Sequence, residues 1–110
     1  AARHQLDQLV VLVDYNQQQT YGTTADLLEP FAAKWEAFGF LVRDVNGHDV
    51  AALKEVLGAV PFAAHQPSAI ICHTVKGKGV SFTERNLSWH HKSKVSEAEV
   101  ASLLTALEAE

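Results

Sequence analysis

Asn16 stands just past the apolar run Leu9-Val10-Val11-Leu12-Val13, with only Asp14 and Tyr15 between. An amide carbonyl is a hard, uncharged oxygen donor. It suits Mg²⁺ or Ca²⁺, cations that take oxygen ligands and often bridge to phosphates. The backbone carbonyl of Gln18, two residues on, joins it if the chain curls around the ion. The competing reading is that Asn16 only turns the chain, as Asn often does. His90 and His91, beside Trp89 in a polar stretch, form the second candidate. Adjacent histidines rarely face one site, and neither has a ligand partner at helical spacing, which argues against zinc. One of them could titrate near neutrality and touch a substrate or phosphate; a plain surface pair is the alternative. Lys76-Gly77-Lys78-Gly79 offers two glycines and two cations but lacks the Walker spacing, so a tight exit from a strand is the favoured reading. His4, His48, His65 and His73 are scattered without pattern. No Ser-His-Asp or Cys-His arrangement follows from their order alone.

These groups need elements to hold them. Leu9 to Val13 is an unbroken, mostly β-branched run and predicts a strand buried on both faces of a parallel sheet. Ligands of open α/β sheets bind at the carboxyl ends of the strands, which is where Asn16 falls. Asn16 to Glu29 is long and polar, with Gly22 inside it, and a loop of that length in a compact domain is usually functional or mobile. Pro30 suits the first turn of a helix, Phe31, Trp35 and Phe38 form one apolar stripe along it, and Gly39 stops it. Such a stripe reads as core. Phe40 to Val45 predicts a second strand, Asn46-Gly47 a turn, and Asp49 the cap of the next helix. Val50, Leu53, Val56, Leu57 and Val60 supply that helix with a buried face before Pro61 ends it. Ala69 to Thr74 predicts a third strand. Ser96-Glu97-Ala98-Glu99 is a capping box opening a closing helix whose apolar face is Val100, Leu103, Leu104 and Leu107. Alternating strands and helices imply an α/β fold, a parallel sheet with helices on both faces.

Composition narrows the class. The chain has 110 residues, enough for one modest domain or a piece of a larger one. A net charge of −4 argues against a general nucleic-acid or membrane-surface binder. A single Cys72 excludes a disulfide framework and favours a reducing, cytoplasmic setting. No apolar stretch approaches a membrane span of about 20 residues, and no signal peptide is visible. Ala1 to Leu6 reads as the tail of a helix entering from upstream, and the chain contains no Met. Both features predict a partial domain, a piece of a longer polypeptide.

Val11-Leu12-Val13-Asp14 also resembles the opening strand of a phosphoacceptor receiver domain, whose first-strand carboxylates bind Mg²⁺. Such a domain needs a phosphate-accepting Asp ending a later strand, and the strand ending in Thr74 offers only Cys72 and His73. That reading is set aside.

Taken together, the motifs resemble the thiamine-diphosphate domain of transketolase, in particular the separately encoded N-terminal subunit of split bacterial transketolases. The resemblance rests on residues 6–16, on Leu28-Glu29-Pro30 with residues 34–40, and on Asn46-Gly47-His48-Asp49. It continues through residues 73–82 and Trp89-His90. Motifs in family order thus span nearly the whole chain, and the match corresponds to the carboxyl-terminal portion of the thiamine-diphosphate-binding fold.

What the resemblance implies is specific. Asn16 binds the divalent cation, Mg²⁺ or Ca²⁺, through its side chain and also contacts the cofactor, thiamine diphosphate. Gln18 adds its backbone carbonyl to the metal. His90 reaches both the thiamine diphosphate and the sugar phosphate substrate, and is the expected catalytic residue. The implied reaction moves a two-carbon ketol unit from a ketose to an aldose, as in the pentose phosphate pathway. The active site forms at a dimer interface, so a pyrimidine-binding domain or subunit is the expected partner in a homo- or hetero-oligomer. A further metal-ligating Asp, from a Gly-Asp-Gly segment, is expected upstream of Ala1, so the isolated chain is expected to be inactive.

The chain also departs from the family pattern. Gly usually follows the His90 position, where this chain has His91. Small or aliphatic residues are common at Gln17, Gln18 and Thr20, and an Asp at Tyr21. Thr20 would make the cofactor environment more polar. These changes keep open another thiamine-diphosphate-dependent enzyme of a specialised pathway, since function is set by the site and not the fold. A non-catalytic, partner-binding remnant of the fold is the remaining alternative.

Overall fold

The computed structural model describes residues 1–19 and 22–109. Among these described residues, strands and α-helices follow in the order β1 (Val10–Tyr15), β2 (Gln18–Gln19), β3 (Gly22–Thr23), α1 (Ala25–Leu28), α2 (Phe31–Ala37), β4 (Leu41–Asn46), α3 (Val50–Gly58), β5 (Ser68–His73) and α4 (Glu97–Glu108). The described chain divides into two compact units, one of Ala1–Tyr15 with Ala25–Thr74, the other of Asn16–Thr24 with Val75–Glu110.

The first unit is a parallel sheet in the order β1-β5-β4. Val10 pairs with Ser68 through to Tyr15 with His73, and Leu41 with Ser68 through to Asn46 with His73. The chain steps from β1 past the position of β5 to β4, then returns through α3 to β5. Right-handed crossovers in opposite directions put α2 and α3 on opposite faces. Side-chain alternation agrees with this. Val56 of α3 buries with Ile70 and Cys72, while Tyr15, one register position out of phase, stacks on Phe31 of α2 at 4.7 Å.

The centre of the sheet is β5, not β1. Ser68, Ala69, Ile70 and Ile71 are essentially inaccessible, whereas β1 lies at one side of the three described strands and its Leu12 is 53% exposed. The expectation that β1 is buried on both faces is therefore corrected. Both runs are continuously apolar, and pairing order, which hydrophobicity does not encode, decided which one took the middle.

Local signals held at the turns. Asn46 accepts the His48 N–H at 3.0 Å, and Asp49 caps α3 by accepting the Ala52 N–H at 3.0 Å. Gly39 takes φ 85° after α2. The aromatic stripe is corrected in one member. Phe31 and Trp35 pack edge to face at 6.3 Å, but Phe38 is 77% exposed, and Phe40 meets Trp35 at 5.1 Å instead. Helix α2 ends at Ala37, so Phe38 leaves the helical phase that would have turned it inward. In α3 only Val56 is buried; Leu53 packs beside the core, as does Val60 just past the helix, which ends at Gly58, while Val50 and Leu57 are exposed.

In the second unit, β2 and β3 pair antiparallel, Gln18 with Thr23 and Gln19 with Gly22. Val80 and Thr83 are buried, and the Thr83 hydroxyl is shared between the carbonyls of Gly77 (3.0 Å) and Val80 (2.9 Å). The capping box of α4 forms as expected, with Ser96 Oγ accepting from Glu99 N and Glu99 Oε2 accepting from Ser96 N at 2.9 Å. Its expected apolar face buries only in part: Leu103 is half-buried, while Val100, Leu104 and Leu107 are exposed. Periodicity marks a face able to bury but supplies no partner for it.

Candidate functional site

Tyr15 closes β1, and the chain then bends through Gln17, whose φ is 61°. Asn16 Oδ1 accepts the Gln18 N–H at 2.9 Å. The turn reading of Asn16 is thus realised, as it is at Asn46 and Asn86. It does not exclude ligand binding, because a carbonyl oxygen carries two lone pairs and this bond uses one. Thr24 N–H donates back to the Gln17 carbonyl at 3.0 Å and closes the loop.

This loop and the segment after Lys76 line one pocket of about 140 Å³, formed by Asn16, Gln17, Gln18, Thr23, Arg85 and Leu87. Asn16 and Gln18, paired by the sequence reading, do meet here. His90 is not among the lining residues. It ends the 3₁₀ turn Leu87–Trp89, which Asn86 caps by accepting the Ser88 N–H at 3.0 Å. The His90 and His91 rings meet edge on at 4.4 Å. Burial pushes the His90 pKa below the usual imidazole value, and nearby His91 and Lys76 push it the same way. His90 is accordingly neutral at pH 7.

Among the described residues, three buried side-chain atoms have no hydrogen-bond partner: Gln18 Oε1, Thr24 Oγ1 and His90 Nδ1. A buried polar atom left unpaired costs about 1–3 kcal/mol, and all three belong to the unit that carries the pocket. The donors fit the implied groups in kind. Asn16 and Gln18 offer hard oxygens for a divalent cation, and His90 offers a hydrogen-bonding nitrogen. They do not fill a coordination shell, since such a cation takes six or more oxygens. No group of three His, Cys, Asp or Glu side chains able to hold a metal occurs among the described residues.

The glycine segment resolves toward its structural reading. Gly77 and Gly79 have φ of 79° and 97°, and a Cβ on Gly77 would lie 2.7 Å from the Thr83 carbonyl oxygen. The Gly79 N–H already donates to a carboxylate, Glu84 Oε1 at 3.2 Å, which also sits 3.6 Å from Lys78 Nζ. The loop holds an anion of its own. Thr20 and Tyr21, where the sequence departs from the family pattern, lie outside the described residues.

Two features escaped the sequence reading. Arg85 enters the pocket wall, and nothing in its neighbourhood in sequence marks it. His73 Nε2 lies 2.5 Å from Asp44 Oδ1 and edge-on to Tyr15 at 5.5 Å, a polar group at the carboxyl end of the sheet. Both side chains fall on the α2 face of neighbouring strands, a placement the register alone would have revealed. Cys72 is buried and its thiol pKa is raised by burial and by the Asp14 carboxylate, so it is a packing residue and not a nucleophile.

These features define a parallel α/β fold in which the carboxyl ends of β1 and β5 lead into loops that build a pocket. Residues 1–110 match the family described as "Transketolase, thiamine diphosphate binding domain". The chain belongs to that family. It is 38% identical over 104 residues to an apulose-4-phosphate transketolase subunit from Actinobacillus succinogenes, covering 92% of this chain and 37% of that protein. It is 36% identical over 112 residues to a 6-deoxy-6-sulfo-D-fructose transketolase subunit of a Clostridium species, covering 100% and 40%. Human transketolase is 36% identical over 94 residues, 84% of this chain and 15% of that protein. The chain therefore spans about two-fifths of the length of the split-enzyme relatives. The fold matches the crystal structure of transketolase from Campylobacter jejuni, with a TM-score of 0.73 at 23% identity, over 98% of this chain and 20% of that one. No helix among the described residues is long and apolar enough to cross a membrane.

Proposed function

We propose that this chain is the carboxyl-terminal part of the cofactor-binding domain of a two-subunit transketolase, acting on sugar phosphates with thiamine diphosphate and a divalent cation. The reaction is transfer of a two-carbon ketol unit from a ketose to an aldose, in the cytoplasm. The observation that carries this reading is the family match over the whole chain. The meeting of Asn16 and Gln18 at one pocket supports it.

In this reading Asn16 Oδ1 gives its second lone pair to the cation, while the first keeps the loop turned through Gln18 N–H. The Gln18 carbonyl is a further ligand, and Asn16 also touches the cofactor. Thiamine diphosphate, when bound, supplies the carbanion chemistry of ketol transfer. His90, neutral at pH 7, holds one ring proton to donate and one lone pair to accept. Its unpartnered Nδ1 hydrogen-bonds the cofactor or a substrate hydroxyl. Two oxygen ligands are too few to hold the ion, so the Asp of an upstream Gly-Asp-Gly segment is the further ligand, and a partner domain or subunit that binds the aminopyrimidine ring completes the site. The names of the relatives, an apulose-4-phosphate and a 6-deoxy-6-sulfo-D-fructose transketolase subunit, favour a specialised sugar over a general one.

The test joins the full-length protein with its partner subunit, adds thiamine diphosphate and Mg²⁺, and follows ketol transfer from a panel of phosphorylated and unphosphorylated ketoses. Activity that requires both subunits and is lost in Asn16→Ala is expected. The 110-residue chain alone is expected to show neither activity nor micromolar cofactor affinity in calorimetry. An assembled protein with no cofactor-dependent transfer would sink the catalytic reading and leave a partner-binding remnant.

A further inference from the structure

Arg85 is the one pocket-lining residue with a formal charge; its companions are three amides, a threonine and a leucine. Neither an ion pair nor a hydrogen bond engages its guanidinium among the described residues. The neighbouring Glu84 is not available to it, since that carboxylate bonds Gly79 N–H and faces Lys78. On a chain of net charge −4, an unneutralised cation in a concave wall focuses attraction for anions at that point.

The backbone supports a built site. Arg85 takes φ 55° and Gln17 takes φ 61°, and both line the same pocket. Non-glycine residues are uncommon in this region and persist where the surroundings hold them, frequently at ligand sites. Arg85 is held there by its own N–H, which donates to the Lys76 carbonyl at 3.0 Å, and by Asn86 N–H on the Thr83 carbonyl at 3.1 Å. The guanidinium is thus presented from an anchored backbone. Its planar fork of donors matches phosphate geometry, and the side-chain amides of Gln17 and Gln18 can donate beside it.

We infer that Arg85, with Gln17 and Gln18, forms a subsite for a phosphate-like tetrahedral oxyanion. The anion rests on the functional reading above for its source, which is either the diphosphate of the cofactor or the phosphate of the sugar.

The test uses the full-length protein assembled with its partner subunit, free of cofactor. Inorganic phosphate and inorganic pyrophosphate are titrated calorimetrically into wild type, Arg85→Asn and Arg85→Lys. Asn tolerates positive φ, so Arg85→Asn removes the charge without disturbing the turn, and an unchanged melting temperature verifies this. Loss of a charged hydrogen bond predicts about tenfold weaker anion binding in Arg85→Asn, with partial recovery in Arg85→Lys. If pyrophosphate and thiamine diphosphate weaken together, the anion is the cofactor's. If phosphate weakens, thiamine diphosphate does not, and KM rises only for phosphorylated sugars, the anion is the substrate's. Phosphate and pyrophosphate affinities within twofold of wild type in Arg85→Asn would overturn the assignment, even in an assembly with full transketolase activity. Conversely, an assembly without ketol transfer whose phosphate binding still needs Arg85 refutes the functional reading and leaves the subsite standing.

Discussion

Replacing Gly77 by Ala tests whether the Lys76–Gly79 segment is a structural turn or a phosphate cradle. The added Cβ would stand 2.7 Å from both the carbonyl oxygen and Oγ1 of Thr83, and 2.9 Å from its carbonyl carbon. Two of these three atoms are backbone, and Thr83 is buried, so nothing there yields cheaply. Holding an L-residue at φ 79° costs about 1–2 kcal/mol, and overpacking a filled site adds about 1–3 kcal/mol. The sum, about 2–5 kcal/mol, is a large share of the roughly 5–15 kcal/mol that stabilises a typical domain. Gly58→Ala is the internal control. Gly58 ends α3 with open space where its Cβ would point, and the same chemical change there stabilises by about 0.5–1 kcal/mol. Thermal unfolding followed by circular dichroism then separates the two in sign, with Gly77→Ala melting at least about 10 °C below wild type and Gly58→Ala slightly above it. Should Gly77→Ala melt with wild type yet lose affinity for inorganic phosphate, the steric reasoning is wrong and the cradle reading returns.

Two further expectations follow from protonation. Glu99 has its pKa lowered from 4.5 to about 2, first by the Lys92 ammonium at 2.6 Å and then by Ser96 N–H. A depressed carboxylate pKa contributes stability that is present above the unfolded value and lost as pH falls through the folded one. The helix signal of α4 should therefore weaken between about pH 4.5 and pH 2, and Glu99→Gln should remove that acid dependence. His90 has a lowered pKa, so the folded protein resists its protonation; ring-nitrogen NMR should find its midpoint below the usual 6.5. His91→Ala should raise that midpoint only in part, because burial is the larger cause. A His90 midpoint at or above the ordinary imidazole value would refute the neutral assignment on which its hydrogen-bonding role rests.

What could be read along the chain was what neighbours in sequence decide. Asp49 and Ser96 cap their helices because a short side-chain oxygen reaches the backbone three residues on. Asn46 and Gly39 end their elements for equally local reasons. The alternation of strands and helices, and the motif order that marks the transketolase domain, were legible in the same way. The pairing of Asn16 with Gln18 was legible too, since two residues of one turn cannot be far apart.

Tertiary structure decided what depends on distant partners. Leu9–Val13 and Ala69–Cys72 look alike as apolar runs, yet β5 took the centre of the three described strands and β1 one side, because strand order is set by crossovers and not by hydrophobicity. Phe40 displaced Phe38 as the partner of Trp35, since one residue past a helix end breaks the phase on which an i, i+7 stripe depends. Arg85 lies far beyond Asn16 in the chain, and only the fold made them walls of one pocket. A cation is commonplace in sequence. Its meaning came from the concavity around it and from a neighbouring carboxylate already engaged elsewhere, which are relations among residues that composition and spacing do not carry.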